Sequence, residues 1–211
     1  MSIRDRTCGT VRLIACGYRG SADLRYAYDP MLGKRNIFLV GPMGSGKSAV
    51  GRQLARLLCA PFYDSDTEIE RRTGVDIPYI FEKEGEPRFR QRERETIEEL
   101  TLLEPVVLAT GGGAVLAPEN RKCLVERGCV VYLTASVEQQ VQRVAHARQR
   151  PLLKDVDPEI RLRQLMQERE PLYSSVADVR IATDGRKIQT VAEDIMKALG
   201  YPVPQMPACA S

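Results

Sequence analysis

The chain has no tryptophan, one histidine and no long apolar run. No stretch approaches the ~18 consecutive apolar residues of a membrane span, which excludes a helical membrane protein. The six cysteines (Cys8, Cys16, Cys59, Cys123, Cys129 and Cys209) form no C-x-x-C pair, and no histidine stands near enough to them in sequence to complete a zinc site. No export signal is visible, so a reducing cytoplasm is expected rather than a disulfide framework. Cys59, at the end of an apolar helix pattern, and Cys129, opening the run Cys129-Val130-Val131-Tyr132-Leu133, read as buried thiols. Aromatic residues make up 6% of the chain and do not interleave with the basic ones, so a nucleic-acid partner is not expected. The net charge of +3 is mild and favours small anionic ligands.

The 211 residues suffice for one large domain with a real core. Met1 to Pro30 carries scattered Arg and Gly without sustained periodicity, and its apolar run Val11–Cys16 is too short for a signal-peptide core. Asp5, Asp23 and Asp29 argue against an organelle transit peptide. Met31 stands directly before the first strand-like segment, so residues 1–33 are expected to be a disordered extension, or translation to start at Met31. The domain is expected over 34–199, followed by a loose tail over 200–211 containing three prolines.

Gly41-Pro42-Met43-Gly44-Ser45-Gly46-Lys47-Ser48 fits the phosphate-binding pattern G-x-x-x-x-G-K-[ST]. It follows the apolar run Asn36–Val40 and precedes the helical pattern Ser48–Leu58, as such a loop must. Its glycines allow backbone N–H groups to turn inward around a phosphate. Lys47 can reach the outer phosphates, the Ser48 hydroxyl can ligate Mg²⁺, and the helix start adds its positive dipole end.

Strand-like runs at Asn36–Val40, Phe62–Asp64, Val106–Ala109, Val130–Leu133 and Val179–Ala182 alternate with helical patterns. This predicts an α/β fold on a parallel sheet. Helices are expected at Lys47–Leu58, Asp66–Arg72, Ile77–Lys83, Arg88–Leu103, Pro118–Arg127, Val137–Ala147, Pro158–Glu168 and Thr190–Leu199. Gly74, Gly128 and Gly200 follow three of them, where a left-handed stop is wanted. In a parallel sheet ligands bind at the carboxyl ends of the strands, so the loops after Val40, Tyr63, Ala109 and Leu133 should face one cleft.

Those loops carry unusual chemistry. Tyr63-Asp64-Ser65-Asp66 places two acids one residue apart. The third strand ends in Thr110-Gly111-Gly112-Gly113 without an acid, so Asp64 is the candidate to help hold Mg²⁺ through water. Asp66 is then available to accept a substrate hydroxyl proton, or it is simply the N-cap of the next helix. Three successive glycines cost conformational entropy and make sense where backbone must approach a ligand closely. In Gly85-Glu86-Pro87-Arg88-Phe89-Arg90-Gln91-Arg92-Glu93, Arg90 and Glu93 lie on one helical face and can pair, or the run is a solvated, salt-bridged surface. Arg143, Arg148 and Arg150 precede Pro151 in a region suited to folding over phosphates. His146, within it, reads as a solvated bystander rather than a base. Arg169 stands just ahead of a proline break at Pro171.

Together these segments, with Arg150-Pro151-Leu152-Leu153 and Arg169 with Pro171-Leu172-Tyr173, resemble the shikimate kinase family from about Lys34 to Leu199. The resemblance implies a fold like that of nucleoside monophosphate kinases: three α/β/α layers, a five-stranded parallel sheet, a lid and a substrate-binding subdomain. It implies ATP-dependent phosphorylation of the 3-hydroxyl of shikimate, in chorismate and aromatic amino acid biosynthesis, by a cytoplasmic monomer with Mg²⁺. Lys47, Asp66 and Arg150 would be catalytic. Gly44, Ser45, Gly46, Lys47, Ser48, Ala49, Arg143, Arg150 and Arg186 would bind ATP, with Arg143 and Arg186 flanking the adenine. Asp66, Arg90, Gly111, Gly112, Gly113 and Arg169 would bind shikimate, Arg90 and Arg169 clamping its carboxylate and Glu93 orienting Arg90. The family commonly has a second hydroxyl residue after the Mg²⁺-binding serine; Ala49 replaces it here, at about 1 kcal/mol for one hydrogen bond. The rival readings are another small-molecule kinase on the same fold, of gluconate or nucleoside monophosphate type, and a catalytically silent nucleotide-binding regulator.

Overall fold

The computed structural model describes residues 36–145 and 157–202. The expectations for residues 1–33, for His146, Arg148 and Arg150, and for the tail beyond Pro202 lie outside the described residues.

Five strands, β1 (Ile37–Val40), β2 (Phe62–Asp64), β3 (Val107–Ala109), β4 (Cys129–Thr134) and β5 (Val179–Ala182), form one sheet in the order β2-β3-β1-β4-β5. Every pairing is parallel. Among the described residues seven helices connect and flank them: α1 (Lys47–Leu58), α2 (Ser65–Thr73), α3 (Ile77–Leu100), α4 (Pro118–Arg127), α5 (Val137–Ala145), α6 (Pro158–Val176) and α7 (Ile188–Ala198). The strands read as apolar runs because both sheet faces are covered. Alternate residues of β1 divide between two cores. Phe38 and Val40 pack with Leu108, Val130 and Tyr132 under Ile97, Leu124, Tyr173 and Val176. Ile37 and Leu39 pack with Val107, Val131 and Leu133 under Val50 and Leu54 of α1 and Val191 and Ile195 of α7. This is a three-layer α/β/α architecture. A smaller cluster of Ile69, Ile80 and Phe89 joins α2 to α3 beside the sheet.

β1 is central and its neighbours β3 and β4 lie on opposite sides, so the chain changes direction across the sheet at β1. In parallel α/β sheets the ligand crevice opens at such a switch point. The phosphate loop leaves the carboxyl end of β1 at that position.

Several local expectations differ from the structure. β1 and β3 begin one residue later than expected, at Ile37 and Val107, and just ahead of them the Val106 N–H donates to the Asn36 side-chain oxygen at 3.1 Å. The same Asn36 amide reaches the Arg127 carbonyl at 3.2 Å, so one buried side chain ties together the entrances to β1 and β3 and the end of α4. Gly85 adopts φ 79°, ψ 167° within α3, which keeps the two expected segments distinct although they run together. α6 continues through Pro171 to Val176 rather than ending near Glu168, since burial of Tyr173 and Val176 outweighs one absent amide donor. Gly74 (φ 71°) and Gly200 (φ 76°) are left-handed stops as expected. Gly128 is not: its backbone is extended, and glycine is required there because a Cβ would stand 2.4 Å from the Phe38 ring. Cys59 is exposed and Cys129 half-buried, so neither thiol is the buried group expected. Cys59 turns left-handed (φ 51°) to end α1, which carries its side chain off the apolar face.

Candidate active site

The phosphate loop is built by backbone conformation. Gly41, Gly44 and Gly46 all have positive φ (142°, 77° and 89°), a region that side chains disfavour. At Gly41 close approach adds a second requirement, since a Cβ would lie 2.4 Å from the Leu133 carbonyl oxygen. Gly46 opens α1 with no side-chain cap, and the first turn of that helix holds no acid. The leading N–H groups and the positive helix end are therefore left for an anion. Lys47 folds back over the loop, donating to the carbonyls of Gly41 at 2.8 Å and Pro42 at 2.7 Å, which holds its ammonium against the loop. Ser45 is fully buried, and Ala49 lies in the first turn of α1.

Asp64 and Asp66 divide two tasks that the sequence left open. Asp64 is the N-cap of α2: its Oδ1 accepts from the N–H groups of Asp66 at 3.1 Å and Thr67 at 3.4 Å. Its Oδ2 accepts from the Ser48 hydroxyl at 2.5 Å. A hydroxyl and a carboxylate oxygen thus stand together beside the phosphate loop. Asp66 lies in the first turn of α2, not at its cap, and its carboxylate stands against the glycine loop, where a Cβ on Gly111 would stand 2.6 Å from its Oδ1.

That loop is held by its neighbours. The Gly111 N–H donates to Ser65 Oγ at 2.9 Å. The hypothetical Gly111 Cβ would also meet Glu93 Oε1 at 2.8 Å, and one on Gly113 would meet Arg90 Nη1 at 2.4 Å. None of the three glycines has positive φ; close approach by Asp66, Glu93 and Arg90, not handedness, is what requires them at 111 and 113. Gly112 abuts the phosphate loop itself, a Cβ there lying 3.3 Å from the Met43 nitrogen.

The charge-dense segment of α3 divides between a solvated, ion-paired side and a side turned toward the glycine loop. Arg88, Glu84 and Arg92 pair near solvent. Arg90 turns inward, donating from Nη1 to Glu93 at 2.8 Å and from Nη2 and Nε to Glu86 at 2.8 and 3.1 Å. Glu93 is 1% exposed. Burial pushes its carboxyl above the ordinary glutamate range, while Arg90 and Arg169 pull in the opposite direction. Burial also opposes the Arg90 charge, but Glu93 and Glu86 outweigh it and keep the guanidinium ionised. Arg169 is 5% exposed, and its Nε has no hydrogen-bond partner among the described residues. A buried guanidinium donor in that state is suited to an incoming anion.

Arg143 donates to the Gly44 carbonyl at 2.8 Å and to Thr183 Oγ1 and its carbonyl at 3.1 and 2.9 Å, joining the phosphate loop to the end of β5. Arg186, in the turn that follows, pairs with Asp194. The structure therefore brings Lys47, Ser48, Asp64, Asp66, Arg90, Glu93, Gly111–Gly113 and Arg169 to one side of the sheet, with Arg143 and Arg186 at the β5 end of the same edge. Arg150 lies outside the described residues.

Three further side chains packed around these residues were given no role from the sequence. Glu86 supports Arg90 from the side opposite Glu93, and its i, i+4 spacing was visible within the charge run. Tyr173 donates its hydroxyl to the Gly112 carbonyl, and its position four residues after Arg169 was the available signal. Gln140, fully buried, donates to the Ala135 carbonyl and with Pro42, Met43, Arg169 and Tyr173 lines a cavity of about 10 Å³ between the phosphate loop and α6. Nothing in its local sequence marked it.

The family model for shikimate kinase matches residues 43–200. A shikimate kinase of Pseudomonas fluorescens is 56% identical over 171 residues, spanning 81% of this chain and 99% of the relative. One from Nitrosococcus oceani is 57% identical over 164 residues, covering 78% of this chain and 86% of that protein. Among solved structures, a shikimate kinase from Acinetobacter baumannii in complex with shikimate aligns with a TM-score of 0.77 at 50% identity, over 80% of this chain and 94% of that one. With a family match across most of its length and relatives at this identity, the chain belongs to the shikimate kinase family.

Proposed function

We propose that the protein transfers the γ-phosphoryl group of ATP to the 3-hydroxyl of shikimate, giving shikimate 3-phosphate for chorismate and aromatic amino acid biosynthesis. The observation that carries this reading is the contact between the two loops. Gly112, in the loop that Asp66, Glu93 and Arg90 press against, abuts Met43 of the phosphate loop. In this reading an acceptor seated on the glycine loop lies beside the terminal phosphate.

In this reading Arg90 and Arg169 grip the shikimate carboxylate. Glu93 and Glu86 hold Arg90 from two sides, so little rotamer freedom remains to be lost on binding. Asp66 accepts the proton of the attacking hydroxyl as its oxygen bonds to the γ-phosphorus and the bond to the β-phosphate oxygen breaks. The backbone of Gly44–Ala49 receives the phosphates, Lys47 shifts from the loop carbonyls toward them, and Arg150 joins as a further cation. Arg143 and Arg186 border the adenine at the β5 end of the cleft.

The residues present fit a magnesium ion. The Ser48 hydroxyl and the Asp64 carboxylate supply hard oxygens side by side, and so few protein ligands suit an ion that keeps most of its water. Bound there with ATP, Mg²⁺ would neutralise phosphate charge. Ser48 would ligate it directly, and Asp64, anchored through its other oxygen to the start of α2, would hold one of its waters.

No described helix is long and apolar enough to cross a membrane. We further propose a monomer working in the cytoplasm, which sedimentation of the purified chain and fractionation would test.

Coupled measurement of ADP release tests the reaction. Turnover is expected with shikimate and Mg·ATP and not with gluconate or nucleoside monophosphates. Turnover with either alternative acceptor, and none with shikimate, would overturn the proposal.

A further inference from the structure

Tyr173 lies on α6 one helical turn after Arg169, so both side chains leave the same face of that helix. It is 1% exposed, and its ring stacks on that of Tyr132 in β4, centroids 5.1 Å apart and planes 29° apart. The ring alone would make it a core residue. Its hydroxyl is less easily explained by packing, because it donates to the carbonyl of Gly112 at the centre of the glycine loop. Arg169 lies against the same hydroxyl, close enough to oppose the upward push that burial gives its titration. In this arrangement the Tyr173 hydroxyl is the donor to the loop.

The loop needs such an anchor. Three consecutive glycines have more backbone freedom than any other tripeptide. Gly111 is secured through its N–H to Ser65, and the carbonyls of Gly111 and Gly113 accept from Ala114 and Leu116. These bonds hold the ends of the loop from α2 and from the turn that follows it. The bond to the central carbonyl comes from α6, the helix that carries Arg169. Since the peptide is planar and trans, fixing the Gly112 carbonyl also fixes the Gly113 N–H, directed the opposite way.

We propose that Tyr173 is a positioning residue that ties the Arg169 clamp to the glycine loop, so that the grip on the acceptor's carboxylate and the seat for its ring are set together. This rests on the reading of the site as a shikimate pocket. Movement of Arg169 onto a carboxylate is then transmitted through one side chain to the loop that abuts Met43. ATP, held on the other side of that loop by α1 and the phosphate loop, has no such dependence.

Tyr173→Phe keeps the ring and its stacking on Tyr132 and deletes only the hydroxyl. The expected result is a rise in the shikimate KM of about tenfold with a smaller fall in kcat, the ATP KM staying within about twofold. A residue that merely filled the core would move both KM values together or neither. Two groups that act as a unit give non-additive effects. Arg169→Lys/Tyr173→Phe should therefore lose less than the product of the two single losses in kcat/KM for shikimate. Calorimetric titration of shikimate into the folded variant gives the same comparison without turnover. A Tyr173→Phe enzyme with an unchanged shikimate KM, or a double variant whose losses multiply, would overturn the positioning role while leaving the reaction in place. A parent chain that turns over no shikimate would remove the reaction and this role with it.

Discussion

Gly111 lies so close to Asp66 that a single methyl group would collide with the carboxylate, its Cβ standing 2.6 Å from Asp66 Oδ1. The same methyl would crowd Glu93 at 2.8 Å. The glycine therefore sits between the acceptor's proposed base and the carboxylate that steadies Arg90. Gly111→Ala has no left-handed backbone to resist it, so the fold should persist and the acidic pair should be pushed apart. Misplacement of about 1 Å in a reacting constellation costs on the order of 100-fold in rate. A fall of that order in kcat is expected, with the ATP KM little changed. Near-normal turnover would place Asp66 outside the chemistry.

Arg90 uses three N–H groups in two directions, Nη1 to Glu93 and Nη2 with Nε to Glu86. Lysine keeps the charge but cannot span both partners and still present a flat fork. Arg90→Lys should raise the shikimate KM by about 10- to 100-fold, equivalent to about 1.4–2.8 kcal/mol, and leave the ATP KM within about threefold. Steady-state kinetics in each substrate decide it. Equal weakening of both would mean that Arg90 supports the domain rather than the acceptor.

The sheet and the phosphate loop were legible because their signals are local. Apolar runs covered on both faces, glycines at fixed offsets and a following helix pattern need no distant contact to be recognised. The acidic pair shows where legibility ended. The sequence offered Asp66 as a possible N-cap, but α2 starts at Ser65, so Asp64 is the cap and Asp66 falls in the first turn. The glycine loop was readable as a place of close approach, but its neighbours come from α2 and α3, tens of residues earlier. Pro171 was a misleading signal, since burial of Tyr173 holds α6 together past it. Gly128 misled in the same way: its position after a helix suggested handedness, while the packing of Phe38 from another layer is what demands it.

Asp64 couples two functions that one substitution can separate. Asparagine caps a helix about as well as aspartate, so Asp64→Asn should keep the start of α2 and leave the melting temperature within about 2 °C. It removes the negative charge beside Ser48. The Mg²⁺ concentration for half-maximal rate should then rise about tenfold, at saturating ATP and shikimate. An unchanged magnesium requirement would leave Asp64 as a helix cap alone.

Glu68 offers a pH test of stability away from the chemistry. Hydrogen bonds from Arg71 hold its carboxyl at about 2, down from its ordinary 4.5, against an opposing push from burial and with further help from Arg72. In the unfolded chain the group takes up its proton near 4.5. Above that pH both states are ionised and the full stabilisation is present. As the pH falls toward about 2 the unfolded state binds a proton that the folded state does not, so the contribution drains away. The Arg71 side chain is 70% exposed, so screening by solvent reduces the effect to about 1 kcal/mol. Glu68→Gln should therefore melt about 2–4 °C below the parent near neutral pH. The gap should narrow as the pH drops below the ordinary glutamate range, because the unfolded parent then takes up a proton that the folded parent does not. Thermal melts of both proteins across that range check the sign. A gap that stayed constant into acid would show that the two arginines hold α2 by packing their stems and not through the charge on Glu68.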